Sequence, residues 1–150
     1  MTKRGSAKLK KGDIIFSEEE VNRDLYLIKK GQVLAFVTNR TEVTPISYFR
    51  VGEFIGELSF FDKNPRSATL ICLEDTELDI YPYGESLKQF PSWCVTLAES
   101  ITKKIRHYDD VLKNKGIRRK NEETLKPLSI ETQRLYFKLL EDYKKSQGQA

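Results

Sequence analysis

Short apolar segments separated by turn residues fill the chain from residue 9 to 81, and a helical period takes over after residue 86. Ile14-Ile15-Phe16 predicts a first strand, closed by Glu18-Glu19-Glu20, an acidic run that reads most simply as a solvated loop. Residues 25–28 and 33–37 flank Gly31 and predict a hairpin. Asn39-Arg40-Thr41-Glu42 makes the next turn, before a strand over 43–49 in which Pro45 argues for an edge or bulged position. Gly52 turns the chain again, and residues 66–73 and 76–81 predict closing strands around Glu74-Asp75. Many short strands at regular spacing favour a sandwich or barrel.

Beyond them, residues 86–90 suit a short helix ending at Pro91, which itself suits the start of a longer one. In that second helix Leu97, Ile101, Ile105, Tyr108 and Leu112 recur at steps of four, four, three and four, with Lys103, Lys104, Arg106 and Asp110 outside the stripe. Such a narrow stripe either packs on the chain's own barrel or forms a two-fold seam, and its length favours a homodimer through residues 97–112. The basic run from Lys113 to Asn121 reads as a solvated linker. A last helix follows Pro127, with Ser129 as its cap, Glu131 in its first turn, and Tyr136, Leu139, Leu140 and Tyr143 on one face. The expected organisation is therefore a domain over 8–115, a linker over 116–127 and a helical appendage over 128–146.

Composition changes this picture little. With 39% hydrophobic and 32% charged residues the chain reads as soluble and globular, and its net charge of +4 discriminates no class of partner. No apolar run is long enough to span a bilayer, and the N-terminus lacks a hydrophobic signal core, so a cytoplasmic location is expected. Cys72 and Cys94 stand apart and read as reduced thiols.

The candidate chemistry lies in Phe54-Ile55-Gly56-Glu57-Leu58-Ser59, with Arg66-Ser67-Ala68 beginning nine residues after Glu57. One carboxylate and one guanidinium sit in an apolar neighbourhood, where each needs a partner. They could pair with each other. They could also hold a ligand, since the Arg fork matches a phosphate and a carboxylate accepts from sugar hydroxyls. Gly56 permits close backbone approach, and the amides of a short helix starting there favour an anion. A phosphate joined to a ribose satisfies the whole set.

In this order and spacing the two segments resemble the phosphate-binding cassette of the cyclic-nucleotide-binding domains, shared by catabolite-activator-type regulators and cyclic-nucleotide-dependent kinases. The resemblance takes in the hairpin Leu25-Tyr26-Leu27-Ile28-Lys29-Lys30-Gly31-Gln32-Val33 and the approach from Ile46 to Phe54, and covers roughly residues 8 to 115. It implies a mainly β fold with flanking helices: a double-stranded β-helix jelly roll carrying the cassette, a long dimer-type helix and one extra helix. It implies that Arg66, with Ser67 and Ala68, meets a cyclic phosphate, that Glu57 takes the ribose 2′-hydroxyl, and that Phe54, Ile55, Gly56, Leu58 and Ser59 shape the wall. The base would face the long helix near Tyr108 and Asp109, with cyclic AMP preferred to cyclic GMP. An Arg66 waiting for its anion is underpaired, so replacing it by Ala should cost little stability.

The residues also exclude classes. The sequence shows no recognition helix after the dimer-type helix, so specific DNA binding is not expected. A single histidine, His107, cannot supply a phosphodiesterase metal cluster, and no nucleophile-elbow or P-loop pattern occurs, so neither catalysis nor a metal or cofactor is expected. Two functions fit: a stand-alone cyclic-nucleotide sensor signalling to an unidentified protein partner, or a dimeric scaffold that no longer binds nucleotide. The intact cassette favours the sensor.

Overall fold

Alternation of apolar and polar positions becomes a pair of facing sheets. The computed structural model describes residues 3–40, 42–115, 129–133, 135 and 137, the side chains of 39, 42, 109 and 112–115 excepted. Strands β1 (Gly5–Leu9), β2 (Ile14–Phe16), β3 (Leu25–Lys30), β4 (Val33–Asn39), β5 (Glu42–Phe49), β6 (Phe54–Ile55), β7 (Thr69–Cys72) and β8 (Thr76–Tyr81) form two four-stranded antiparallel sheets, ordered β1-β8-β3-β6 and β2-β7-β4-β5. The core between them is built from Phe16, Tyr26, Ile28, Val33, Ala35, Val37, Ile55, Ala68, Leu70 and Leu78. This is the mainly β jelly roll that the resemblance implies.

The β3–β4 hairpin turns on Gly31, whose φ of 96° suits glycine. A Cβ there would also meet Thr76 Oγ1 at 2.5 Å and the Asp75 carbonyl oxygen at 2.8 Å, so the turn packs directly on β8. Strand β5 lies at a sheet edge, and its register slips between Ala35 and Phe36 of β4, where Ser47 pairs with Ala35 but Pro45 with Phe36. Pro45 thus takes the edge-and-bulge position that its missing N–H requires. β1 and β6 are additions to the predicted strands.

Helix α1 (Glu57–Asp62) follows β6, α2 spans Tyr83–Leu87 and α3 spans Ser92–Lys115. α2 begins earlier and ends sooner than the predicted 86–90, because Pro82 starts it with a φ of −65° already suited to a helix. α3 packs on α1 and β4, with Thr102 buried. Leu97, Ile101 and Tyr108 face outward, and among the stripe's described side chains only Ile105 turns partly inward, so this part of the stripe is not spent on the chain's own barrel; the Leu112 side chain lies outside the described residues.

The chain divides into two units, residues 1–119 and 120–150. In the second, Thr132 N–H donates to Ser129 Oγ at 3.2 Å, the capping contact predicted for Ser129. The linker over 116–127 and the face of Tyr136, Leu139, Leu140 and Tyr143 lie outside the described residues.

Candidate functional site

Gly56 ends β6 with φ 83° and ψ 13°, a left-handed conformation, and from it α1 starts with Glu57. A Cβ on Gly56 would lie 2.6 Å from Arg66 Nη1 and 3.1 Å from the Asp24 carbonyl oxygen. Glycine is therefore demanded twice, by its own φ and by the guanidinium packed against it. Arg66 N–H donates to the Glu20 carbonyl and Glu19 N–H donates to the Arg66 carbonyl, both at 2.9 Å. The acidic run is thus more than a solvated loop: its side chains at 19 and 20 are exposed, but its backbone is bonded to the cassette.

The Arg66 head turns inward and is only 2% exposed. Nη1 donates to the Gly56 carbonyl at 2.8 Å, and Nη2 donates to Asn22 Oδ1 at 2.8 Å and to the Asp24 carbonyl at 2.7 Å. The guanidinium carbon lies 4.0 Å from the centre of the Phe16 ring. These partners are neutral dipoles and a ring face, which hold a cation without cancelling its charge. Burial pushes the Arg66 pKa down, and Tyr26, Glu20 and Asp24 push it back up, although the net shift stays downward. Nε is buried with no hydrogen-bond partner among the described residues. The expectation that Arg66 is loosely held is corrected: its side chain is one of the best-packed in the molecule, because two carbonyls and an amide converge on it from residues far away in the chain.

Asn22 is a site residue that pattern reading missed. Its Oδ1 accepts from Arg66 and from the Asp24 N–H at 2.8 Å, while its Nδ2 donates to Tyr26 Oη at 3.0 Å. Burial raises the Tyr26 pKa, keeping the hydroxyl protonated. An Asx-type turn before a strand is the only local signal for it.

Beside Arg66 opens a cavity of about 180 Å³ that is continuous with solvent at its mouth. Ile55, Gly56, Glu57, Leu58, Ser59, Arg66, Ser67 and Ala68 line it, all of them expected from the sequence. Phe54 does not: it is exposed on β6, with its ring centre 6.0 Å from that of Tyr81, because Ile55 takes the inward position and alternation sends Phe54 out. Tyr108 also stays outside, at 68% exposure, since Thr102, Ile105 and Arg106 set the inward face of α3. The Asp109 side chain lies outside the described residues.

The remaining wall is apolar: Phe16 of β2, Ala35 of β4, Ile46 and Phe49 of β5, Leu70 of β7 and Ile105 of α3, with Ser47 between Ile46 and Phe49. Ile46 and Ser47, adjacent in sequence, both reach the cavity because the bulge interrupts alternation there. Strand alternation alone marks Phe49 and Leu70 as inward, but not which inward residues meet the cavity.

The cassette is braced from outside. The Phe60 and Phe61 rings of α1 stand 6.2 Å and 5.6 Å from Phe90, just before α3, and Phe60 meets Tyr83 edge-on at 5.9 Å. At the far end of α1 the Asp62 carboxylate is gripped by both Nε and Nη2 of Arg106 on α3. Burial works against the Asp62 charge, but hydrogen bonds from Arg106 and Asn64 outweigh it and hold the carboxyl below its usual range.

Among relatives of known description, the cyclic AMP receptor protein of Thermus thermophilus is 29% identical over 102 residues, covering 65% of this chain and 47% of that protein. A cAMP-dependent protein kinase regulatory subunit of Hypocrea atroviridis is 32% identical over 71 residues, covering 47% of this chain and 14% of that one. The chain thus spans about half the length of the first relative and a small part of the second. Among solved structures, the cAMP-bound form of the EAL enzyme Bd1971 superposes with a TM-score of 0.65 at 30% identity, over 71% of this chain and 29% of that one. The family model described as the cyclic nucleotide-binding domain matches residues 7–90, more than half of the chain, and on that match the chain belongs to the cyclic nucleotide-binding domain family.

Proposed function

We propose that this chain is a cyclic-mononucleotide sensor, with cyclic AMP as its preferred ligand, that passes the bound state to a protein partner through α3. The observation carrying the reading is the buried Arg66 cation, held by neutral groups only at its Nη atoms, on the wall of a cavity that Glu57 also lines. A cyclic phosphate brings the missing negative charge to Arg66 and Ser67, and Glu57 accepts from the free 2′-hydroxyl. The base lies on the apolar wall of Ala35, Ile46, Phe49 and Ile105. Away from the cassette, Ser47 is the one polar side chain lining that wall among the described residues. Guanine presents three polar groups along its pairing edge and adenine two, so burial against this wall costs guanine more. A neighbouring structure described in both cAMP-bound and cGMP-bound forms supports the ligand class.

The outward stripe of Leu97, Ile101 and Tyr108, extended upstream by exposed Trp93, favours pairing of two chains along α3. In that seam helix position becomes sensitive to a ligand that touches Ile105, by as much as the ligand's affinity differs between helix positions. The test is isothermal titration with cyclic AMP, cyclic GMP and a cyclic dinucleotide. At roughly −0.3 kcal/mol per heavy atom a ligand of about twenty atoms gains about −6 to −7 kcal/mol, a Kd on the order of 10 µM. Cyclic AMP is expected to bind there and more tightly than cyclic GMP; no heat with any of the three at high protein concentration overturns the reading.

A further inference from the structure

α3 is attached to the cassette at two places. Its start is anchored by Phe90 against Phe60 and Phe61. Its middle is held by Arg106, whose Nη2 donates to Asp62 Oδ1 at 2.8 Å and whose Nε donates to Asp62 Oδ2. The two side chains are only 18% and 4% exposed, so the pair is shielded from solvent in a way that surface ion pairs are not. Asp62 is itself fixed, because Asn64 N–H donates to its Oδ1 at 2.9 Å just beyond the end of α1. The residue before Arg106 is Ile105, the one α3 residue among the described lining of the nucleotide cavity. A planar fork on a fixed carboxylate sets both the distance and the rotation of a helix at that point, and therefore of its neighbour Ile105.

We propose that Arg106, through its ion pair with Asp62, is the positioning residue that holds α3 across the nucleotide cavity and sets how fast bound ligand leaves. The inference rests on the nucleotide-binding reading above for its ligand, but not for the latch itself. Neither residue lines the cavity, so the effect runs through Ile105 and the closure of the helix rather than through ligand contact. Removing either partner leaves the other charge shielded and unpaired, which favours helix positions in which that charge reaches water. The off-rate rises, while the on-rate, set by encounter at the mouth, changes little.

The experiment compares wild type, Asp62→Asn, Arg106→Gln and the double variant by amide hydrogen exchange over residues 101–111 and by stopped-flow dissociation of cyclic AMP. Each single variant is expected to exchange faster in α3 without nucleotide and to release cyclic AMP roughly three- to thirtyfold faster, the range of coupling seen for residues linking two elements. The double variant should be no worse than either single one, since both remove the same contact. Unchanged α3 exchange in both single variants overturns the latch, whether or not nucleotide binds. Faster exchange with an unchanged off-rate overturns its control of the cavity, and additive effects in the double variant overturn the pair as the cause. A wild-type chain without affinity for cyclic AMP overturns the binding reading and the off-rate claim with it, while exchange still decides whether Arg106 holds the helix.

Discussion

Gly56→Ala tests the geometry of the cassette at its tightest point. The added methyl would sit 2.6 Å from Arg66 Nη1, closer than a Cβ approaches any heavy atom, and 3.2 Å from Arg66 Cζ, a tight contact. The backbone cannot yield, since φ at this position is 83° and the Asp24 carbonyl closes the other side at 3.1 Å. A left-handed Ala costs about 1–2 kcal/mol. Displacing the guanidinium breaks the 2.8 Å bond from Nη1 to the Gly56 carbonyl, a charge-assisted contact worth about 1.5–3 kcal/mol. The sum is about 2.5–5 kcal/mol of lost stability, read as a lower urea midpoint at an unchanged slope. Because the displaced group is the proposed phosphate ligand, cyclic AMP affinity should fall at least roughly tenfold in the fraction that remains folded. A Gly56→Ala protein within 0.5 kcal/mol of wild type, by the ordinary scatter of surface substitutions, and with unchanged nucleotide affinity would refute the packing of Arg66 against Gly56.

Arg66→Ala should now destabilise the protein by about 3–5 kcal/mol, since it empties a buried site and removes three charge-assisted hydrogen bonds, as well as weakening cyclic AMP binding about ten- to a hundredfold; chemical denaturation showing a loss below 1 kcal/mol would contradict the packed position. The Asp62 carboxyl is held below its usual value of 3.8, so its contribution is fully present above that value and is lost as the pH falls through the lower folded one. Urea midpoints of wild type and Asp62→Asn measured from pH 7 to pH 3 should therefore differ by a constant amount above about pH 5 and converge below 3.8; a gap that widens towards acid argues against the pairing. Ile101→Glu places a carboxylate in the outward stripe without touching the cavity that Ile105 lines, and should convert a homodimer to monomer by size exclusion with light scattering. A wild-type monomer at tens of micromolar refutes the seam.

The cassette was legible because one acid and one arginine in apolar surroundings, with a glycine before the acid, leave few physical solutions. Pro45 announced an edge and a bulge for the same kind of reason: a missing N–H limits where a residue can sit. What stayed hidden depends on contacts across the chain. β1 carries only Ala7 and Leu9 as its apolar positions, at a sheet edge, so its own alternation is faint. Asn22 and the backbone of the acidic loop meet Arg66 across long stretches of chain, 44 residues in the case of Asn22. Ile105 read as part of a helical stripe, and periodicity cannot show that this one position also closes the cavity. Nor could it show that the arginine expected to wait for an anion is already gripped by protein groups, since two of its three acceptors are main-chain carbonyls that no side-chain pattern reveals.

The central claim is that Arg66, Glu57 and the cavity beside them hold a cyclic nucleotide, and a backbone amide NMR titration of the wild-type chain tests it most directly. Adding cyclic AMP should shift the amides of residues 55–59 and 66–68 together with those near Ile46, Ser47 and Ile105, saturating with a Kd on the order of 10 µM. The open 5′-AMP, lacking the cyclic phosphodiester, should shift the same set weakly or not at all. Saturable shifts confined to other surfaces, or no shifts with millimolar cyclic AMP, would contradict the account.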